Sequence, residues 1–352
     1  MEIEDGRIRS IGPAPASPPD RIIAPGFVDL QVNGHEDIDV AHAATRADWE
    51  RLDQLLVAQG VVAWCPTLVT APLEAYRAPL EHIARAAARG GTRPAVLGAH
   101  LEGPFLGRRP GAHDPRYLLP IDMDWLENLP PVVRLVTLGP ELEGAKQAVA
   151  MLSGRGIVVS LGHSDADLAQ SAGAADAGAT LVTHLFNAMG AFEHRRPGLI
   201  GLALTDPRLV PTIICDGVHV HPVAVLAAFS ARAGRSGRAG HPGIALVTDA
   251  VAWRSGAVGG LGLVRHGTDA PRRPDGTIAG SALTMDRAVA NAVAFGVEPA
   301  AALTAASGVP AGVMGLADRG HLSTGSRADL VVLSPDLELQ ATWIGGREVW
   351  AA

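Results

Sequence analysis

Two histidines, His163 and His184, close two short apolar runs, Ile157–Leu161 and Thr180–Thr183. One helix-like segment lies between them. Imidazole nitrogens bind transition metals, and two of them at the ends of successive strands of a β/α barrel could share one ion. Glu102, in AHLEGP, follows a third apolar run, and Gly103-Pro104 keep a helix from starting at once, so its carboxylate stays at the strand mouth. One carboxylate with two imidazoles leaves a coordination position open for water, the arrangement of a catalytic zinc site. Asp249 follows the run Ile244–Thr248. An aspartate there can take a proton from an attacking water and return it to a leaving group. Each residue alone has a plainer reading, as a core histidine, a helix cap or a solvated acid. Their matching positions at strand ends favour a site.

The first-strand tip reads DLQVNG, and alternation puts Gln31 and Asn33 on one face. Neutral amides are poor transition-metal ligands, so one ion rather than two is expected. His35, Glu36, Asp37 and Asp39 follow, and a solvated acidic loop is the better reading than a second ion site. His113 (GAHDP), Asn187 (HLFNAM) and His219 (DGVHVH) adjoin strand ends but are ambiguous singly. Arg195-Arg196 could bind an anion or face water. His42, His82, His241 and His266 receive no role.

The elements that must position these groups form a recurring pattern of apolar run, polar tip and amphipathic helix. The runs are Gly26–Val32, Val61–Val69, Ala95–Leu101, Arg134–Leu138, Ile157–Leu161, Thr180–Thr183, Val210–Cys215 and Ile244–Val247. Runs apolar on both faces suit parallel strands, and eight units suit a (β/α)8 TIM-type barrel. Thr45-x-x-Asp48 is a capping-box variant opening a helix. Leu73–Ala88 carries a helical stripe that Pro79 should break or kink. Glu143–Leu152 and Asp165–Ala177 end at Gly154 and Gly178, Met285–Ala306 reads as helix, and Ala231–Gly243 as a solvated Gly/Arg connector. Ser255–Gly280 reads as a hairpin and loop with a turn at Asp275-Gly276. Short strands at both chain ends can pair into one small sheet.

The chain has 352 residues, 47% hydrophobic and 18% charged, enough apolar surface for a large core. A net charge of −7 argues against nucleic acid as a partner. No stretch reaches the ~20 apolar residues of a membrane span, and the charged start lacks a signal-peptide core, so a cytoplasmic protein is expected. Cys65 and Cys215 lie inside apolar runs and read as packing residues rather than a disulfide.

Taken together the motifs resemble the N-acetylglucosamine-6-phosphate deacetylase family of the amidohydrolase superfamily. The matching pieces are PGFVDLQVNG, HLEGP, GAHDP, GHSDAD, THLFNAM, RRPG, CDGVHV, LVTDA and DGTIAGSALTM, in the family's order along nearly the whole chain. The resemblance implies a barrel over residues 25–320, beside a small β-sandwich from residues 1–24 and 321–352, shortened at its start. It implies deacetylation of N-acetylglucosamine 6-phosphate in a homodimer with one divalent metal per subunit, most often zinc. Glu102, His163 and His184 would hold the metal and Asp249 would be general base, then acid. His113 would stabilise the oxyanion. Asn187 and Ala188 would meet the phosphate, and Arg195 would reach that of the neighbouring subunit. Ala112, His219, Ile278, Ala279 and Gly280 would line the sugar pocket. His35-Glu36-Asp37 departs from the family's Gly/Cys-rich turn, and the Phe105–Gly111 loop, with Arg108 and Arg109, is one residue shorter. Competing readings are an amidohydrolase for the galactosamine epimer or another amide, and a non-catalytic barrel that binds metal or sugar.

Overall fold

The computed structural model describes residues 1–13, 20–234, 243–264 and 270–352. Each of the eight apolar runs carries a strand: β1 (Phe27–Val32), β2 (Val61–Val69), β3 (Ala99–Glu102), β4 (Val133–Leu138), β5 (Val158–Leu161), β6 (Leu181–Val182), β7 (Val210–Ile213) and β8 (Ala245–Leu246). They pair in parallel in chain order. The ring closes between the first and last strands through a Val32–Ala250 bridge and the Asn33 N–H donating to Ala250 O at 2.8 Å. Asp29, fully buried on β1, reinforces this seam by accepting from the Thr248 hydroxyl at 2.6 Å and the Thr248 N–H at 3.3 Å. The fold is a nearly closed (β/α)8 barrel. Its core is one continuous cluster of aliphatic side chains from strands and outer helices.

The outer layer includes α1 (Arg46–Val57), α2 (Arg77–Ala87), α3 (Met123–Glu127), α4 (Ala145–Gly154), α5 (Leu168–Ala177), α6 (Gly198–Thr205), α7 (Pro222–Arg232), α8 (Met285–Ala294), α9 (Pro299–Ala306) and α10 (Gly308–Val313). Thr45 caps α1 in a reciprocal box with Asp48, worth about 1 kcal/mol. Asp167 and Gln170 do the same for α5, whose end is fixed by Gly178 in the left-handed conformation.

Two sequence expectations need correction, and a third holds. The run Ala95–Leu101 is two pieces, Ala95–Val96 and β3, because the pairing offset along β2 shifts by one residue between them. Gly98 absorbs the extra residue at φ +135°, where a Cβ would lie 2.3 Å from the Arg134 side chain. The Leu73–Ala88 stripe is broken as Pro79 requires: a 3-10 turn over Leu73–Tyr76 gives way to α2 at Arg77, which leaves the proline's missing N–H in the first turn of the new helix. Met285–Ala306 is two helices, parted at Gly296 (φ +101°) with Pro299 starting the second.

Beside the barrel, a Glu2–Glu4/Arg7–Ser10 hairpin packs through Ile8 on Ala328 and Leu330. Leu330 belongs to a four-stranded antiparallel sheet of Ile22–Pro25, Leu330–Leu333, Leu339–Ile344 and Arg347–Ala351. The Gly345-Gly346 turn joins the last two strands, both residues at positive φ. Past β8, Ala257–Val258 and Leu261–Gly262 form a short hairpin, and Gly276 turns the chain at φ +88°. The reading of Ala231–Gly243 as a connector falls partly on residues outside those described, as do His241 and His266. Both cysteines are buried and unpaired with each other. Among the described residues no helix is long and apolar enough to cross a membrane.

Candidate active site

Glu102 ends β3, and His163, His184 and Asp249 lie two or three residues beyond β5, β6 and β8. At this mouth the three single residues His163, His184 and Asp249 all have positive φ, at 49°, 25° and 48°. Such backbone conformations cost a non-glycine residue about 1–3 kcal/mol each and gather at functional sites. Together with Glu102 they are buried, at 3–8% exposure, around a cavity of about 270 Å³.

The donor atoms converge. Glu102 Oε1 lies 3.2 Å from His163 Nε2 and 3.1 Å from His184 Nε2, and the two nitrogens are 3.0 Å apart. Ligands about 2.0–2.1 Å from a tetrahedral ion stand about 3.3 Å from one another, so this triangle fits one face of a zinc-sized site. His163 Nδ1 is 3.2 Å from Pro110 O, a contact that needs Nδ1–H and leaves Nε2 with its lone pair toward the triangle. Nδ1 of His184 has no hydrogen-bond partner among the described residues.

Glu102, His113 and His163 also offer atoms within 4.8 Å of one another. His113 is the weaker third ligand. Its Nε2 is 3.7 Å from Glu102 Oε2, and its Nδ1 accepts from the Thr70 N–H at 3.3 Å, beside the Thr70 hydroxyl at 2.8 Å. A backbone N–H can only donate. Nδ1 is therefore the acceptor and Nε2 carries the proton, which makes His113 a donor into the cavity.

Burial pushes the Glu102 carboxyl up, but the contacts with His113, His163 and His184 outweigh it and hold it well below the usual range. Burial, with the neighbouring His113, lowers His163 to about 4, so it is neutral near pH 7. His184 is buried too, yet Glu102 holds its proton affinity above the ordinary value. Asp249 is raised to about 7, first by burial and then by the charge of Glu102. A carboxyl group poised there can exchange a proton near neutral pH.

Gln31 and Asn33 have a part that sequence reasoning missed. Asn33 Nδ2 donates to Asp249 Oδ1 at 2.7 Å. Gln31 Nε2 donates to the same oxygen at 3.1 Å and to Glu102 Oε1 at 2.7 Å. Their shared face was legible in the alternation, but their partners, 71 to 218 residues away, were not. Thr70 and Asp216 were also missed. Asp216 Oδ2 accepts a hydrogen bond from His219 Nδ1–H at 2.6 Å, which leaves Nε2 as the acceptor of the neutral ring.

The cavity brings together Glu102, Ala112, His113, His163, His184, Asn187, Ala188, His219, Asp249, Ile278, Ala279 and Gly280 from the sequence-derived set. Val69, Ile214, Val251, Val258 and Leu261 add apolar wall. Arg195 is not among its lining. It is exposed on the loop after β6, beside a separate polar depression with Arg109, Asp165 and Glu193. Arg109 pairs with Asp165 at 3.3 Å rather than reaching the cavity.

Residues 22–349 match the amidohydrolase family, and the chain belongs to that family. An N-acetylglucosamine-6-phosphate deacetylase of Danio rerio is 39% identical over 94% of this chain and 85% of its own. An N-acetylgalactosamine-6-phosphate deacetylase of Escherichia coli O157:H7 is 38% identical over 99% of this chain and 93% of its own. Among solved structures, a mutant N-acetyl-D-glucosamine-6-phosphate deacetylase of Mycobacterium smegmatis in complex with N-acetyl-D-glucosamine-6-phosphate superposes with a TM-score of 0.88 at 33% identity, covering 99% of this chain and 93% of that one.

Proposed function

We propose that this chain hydrolyses the acetamido bond of N-acetylglucosamine 6-phosphate, giving acetate and glucosamine 6-phosphate, with one zinc ion held by Glu102, His163 and His184. The observation that carries this is the convergence of those three donor atoms within 3.0–3.2 Å, in one cavity with Asp249. A divalent ion there supplies Lewis-acid polarisation of the amide carbonyl and acidifies a water molecule.

The chain's own residues do the rest. Asp249 accepts the proton that the attacking water loses and delivers it to the amide nitrogen as the C–N bond breaks, so it ends the cycle as it began. Both amide donors fall on Oδ1, which leaves Oδ2 for this transfer. His113 donates Nε2–H to the carbonyl oxygen as negative charge gathers there, a role typically worth a few kcal/mol. Thr70 holds that ring in the donating tautomer. His219, oriented by Asp216, and Ala112 with Ile278–Gly280 bound the sugar. Asn187 and the backbone of Ala188 meet its phosphate. Arg195 serves the phosphate bound by a second copy in a homodimer, which accounts for an exposed arginine outside its own cavity.

A second reading has specific support. The relative named N-acetylgalactosamine-6-phosphate deacetylase matches 99% of the chain at nearly the same identity. Acetate release should be measured on N-acetylglucosamine 6-phosphate, its galactosamine epimer and unphosphorylated N-acetylglucosamine, with and without a chelator. The expected result is chelator-sensitive release, fastest on the phosphorylated gluco compound. Faster turnover of the epimer would establish the second reading, and release on none of the three would overturn both. Arg195→Ala should raise KM for the phosphorylated sugar with little change in kcat, and an unchanged KM would remove the phosphate assignment.

A further inference from the structure

We infer that Thr183 is a positioning residue for the reaction: its hydroxyl sets the orientation of the Gln31 carboxamide, which in turn holds Glu102 and Asp249 in their working places. The inference rests on the reading of Glu102 as metal ligand and Asp249 as proton carrier.

Gln31 and Thr183 are both 2% exposed, so neither exchanges partners with bulk water. The Thr183 hydroxyl donates to Gln31 Oε1 at 2.8 Å. The amide nitrogen then faces the two acids, giving one hydrogen to Glu102 Oε1 at 2.7 Å and the other to Asp249 Oδ1 at 3.1 Å. A carboxamide is nearly symmetric in shape but opposite in polarity at its two ends. Turned over, it would set oxygen lone pairs against two carboxylate oxygens and leave the hydroxyl facing N–H hydrogens. The threonine hydroxyl has one hydrogen, and spending it on Oε1 selects the working orientation.

The threonine is itself held. Its N–H donates to Leu161 O at 3.0 Å. Its methyl group packs against Gly162, where a Cβ would stand 2.2 Å from Thr183 Cγ2. The glycine before His163 thus leaves space for the threonine before His184, and the two strand ends that present the imidazoles also orient the amide. One buried amide is shared by the acid assigned to the ion and the acid assigned to the proton, so ion retention and turnover should respond together when it is disturbed.

The test compares Thr183→Val, which keeps shape and loses the hydroxyl, with Thr183→Ser, which keeps the hydroxyl. Each is made in the wild type and in Gln31→Met. The readouts are kcat, KM, and the metal dissociation constant from competition with a chromogenic chelator. For Thr183→Val we expect kcat to fall roughly tenfold or more with KM within about twofold, as for loss of one charge-assisted contact, and metal binding to weaken in parallel. Thr183→Ser should restore both. In the Gln31→Met background Thr183→Val should add less than about twofold, because the hydroxyl then has no amide to orient. Should Thr183→Val fail to fold, Thr183→Ala takes its place. Unchanged kcat and metal affinity in Thr183→Val, or full additivity with Gln31→Met, would overturn the inference. Glu102→Gln and Asp249→Asn are run alongside. If the first keeps its metal or the second keeps its rate, the underlying reading has failed; if both behave as assigned and Thr183→Val is silent, only the positioning role is lost.

Discussion

Glu102, His163 and His184 bring acceptor atoms together at the barrel mouth, whereas Gln31 and Asn33, at the tip of the first strand, bring amide hydrogens. The first group turns a carboxylate oxygen and a ring nitrogen's lone pair inward. The second offers amide hydrogens, three of which go to Glu102 and Asp249. A cation is drawn to the first group, because the N–H hydrogens of the second repel positive charge. On the proposed reading the two groups divide the work: one would hold the ion, and the other steadies the acid that would move protons.

The most disruptive way to break this division is Glu102→Gln. It should reduce bound metal from about one ion per chain toward none and abolish acetate release, as read by elemental analysis and an acetate assay on the same sample. Asp249→Asn should keep the ion but lower kcat by about 10²–10⁴, the usual worth of a general acid–base. If that variant loses its metal instead, the two groups are not separable. Asn33→Ala removes one hydrogen bond to the acid and should cost roughly tenfold in kcat with metal content unchanged. Activity lost in proportion to metal would place Asn33 on the wrong side of the comparison.

The smallest effect concerns the seam below both groups. Burial raises Asp29 to about 7, against hydrogen bonds from Thr248 and Gln31. An unfolded aspartate titrates near 3.9, so between about pH 4 and 7 the native state binds more proton than the unfolded one. The Asp29 contribution to stability therefore falls as pH rises through that window and is least favourable above it. Asp29→Asn mimics the protonated form. Its urea midpoint should gain on the wild type between pH 5 and pH 8, and a gap that stays constant or shrinks would exclude the proposed titration.

The barrel was legible because parallel strands buried on both faces leave continuous apolar runs, and all eight were found in order. What escaped was set by backbone geometry or distant partners. Gly98 looks like any glycine until the one-residue shift against β2 is seen. The four residues that the structure brings into one cavity, Glu102, His163, His184 and Asp249, were visible from their places after the runs. The roles of Gln31 and Asn33 were not, since a sequence shows that an amide is a poor ligand but not which carboxylates its hydrogens will meet. Likewise, nothing local in GHS or THL announces left-handed backbone, which histidine adopts only when its surroundings require it.

That last feature bears on how the molecule would fare if released from its task. His163, His184 and Asp249 each keep an unfavourable backbone conformation that glycine would adopt without penalty. A silenced descendant with glycine at any of these positions would trade activity for sturdiness, melting later than its working parent as long as the small space left behind admits water. Lasting unrest at the strand tips is therefore a mark of a chain still kept in service.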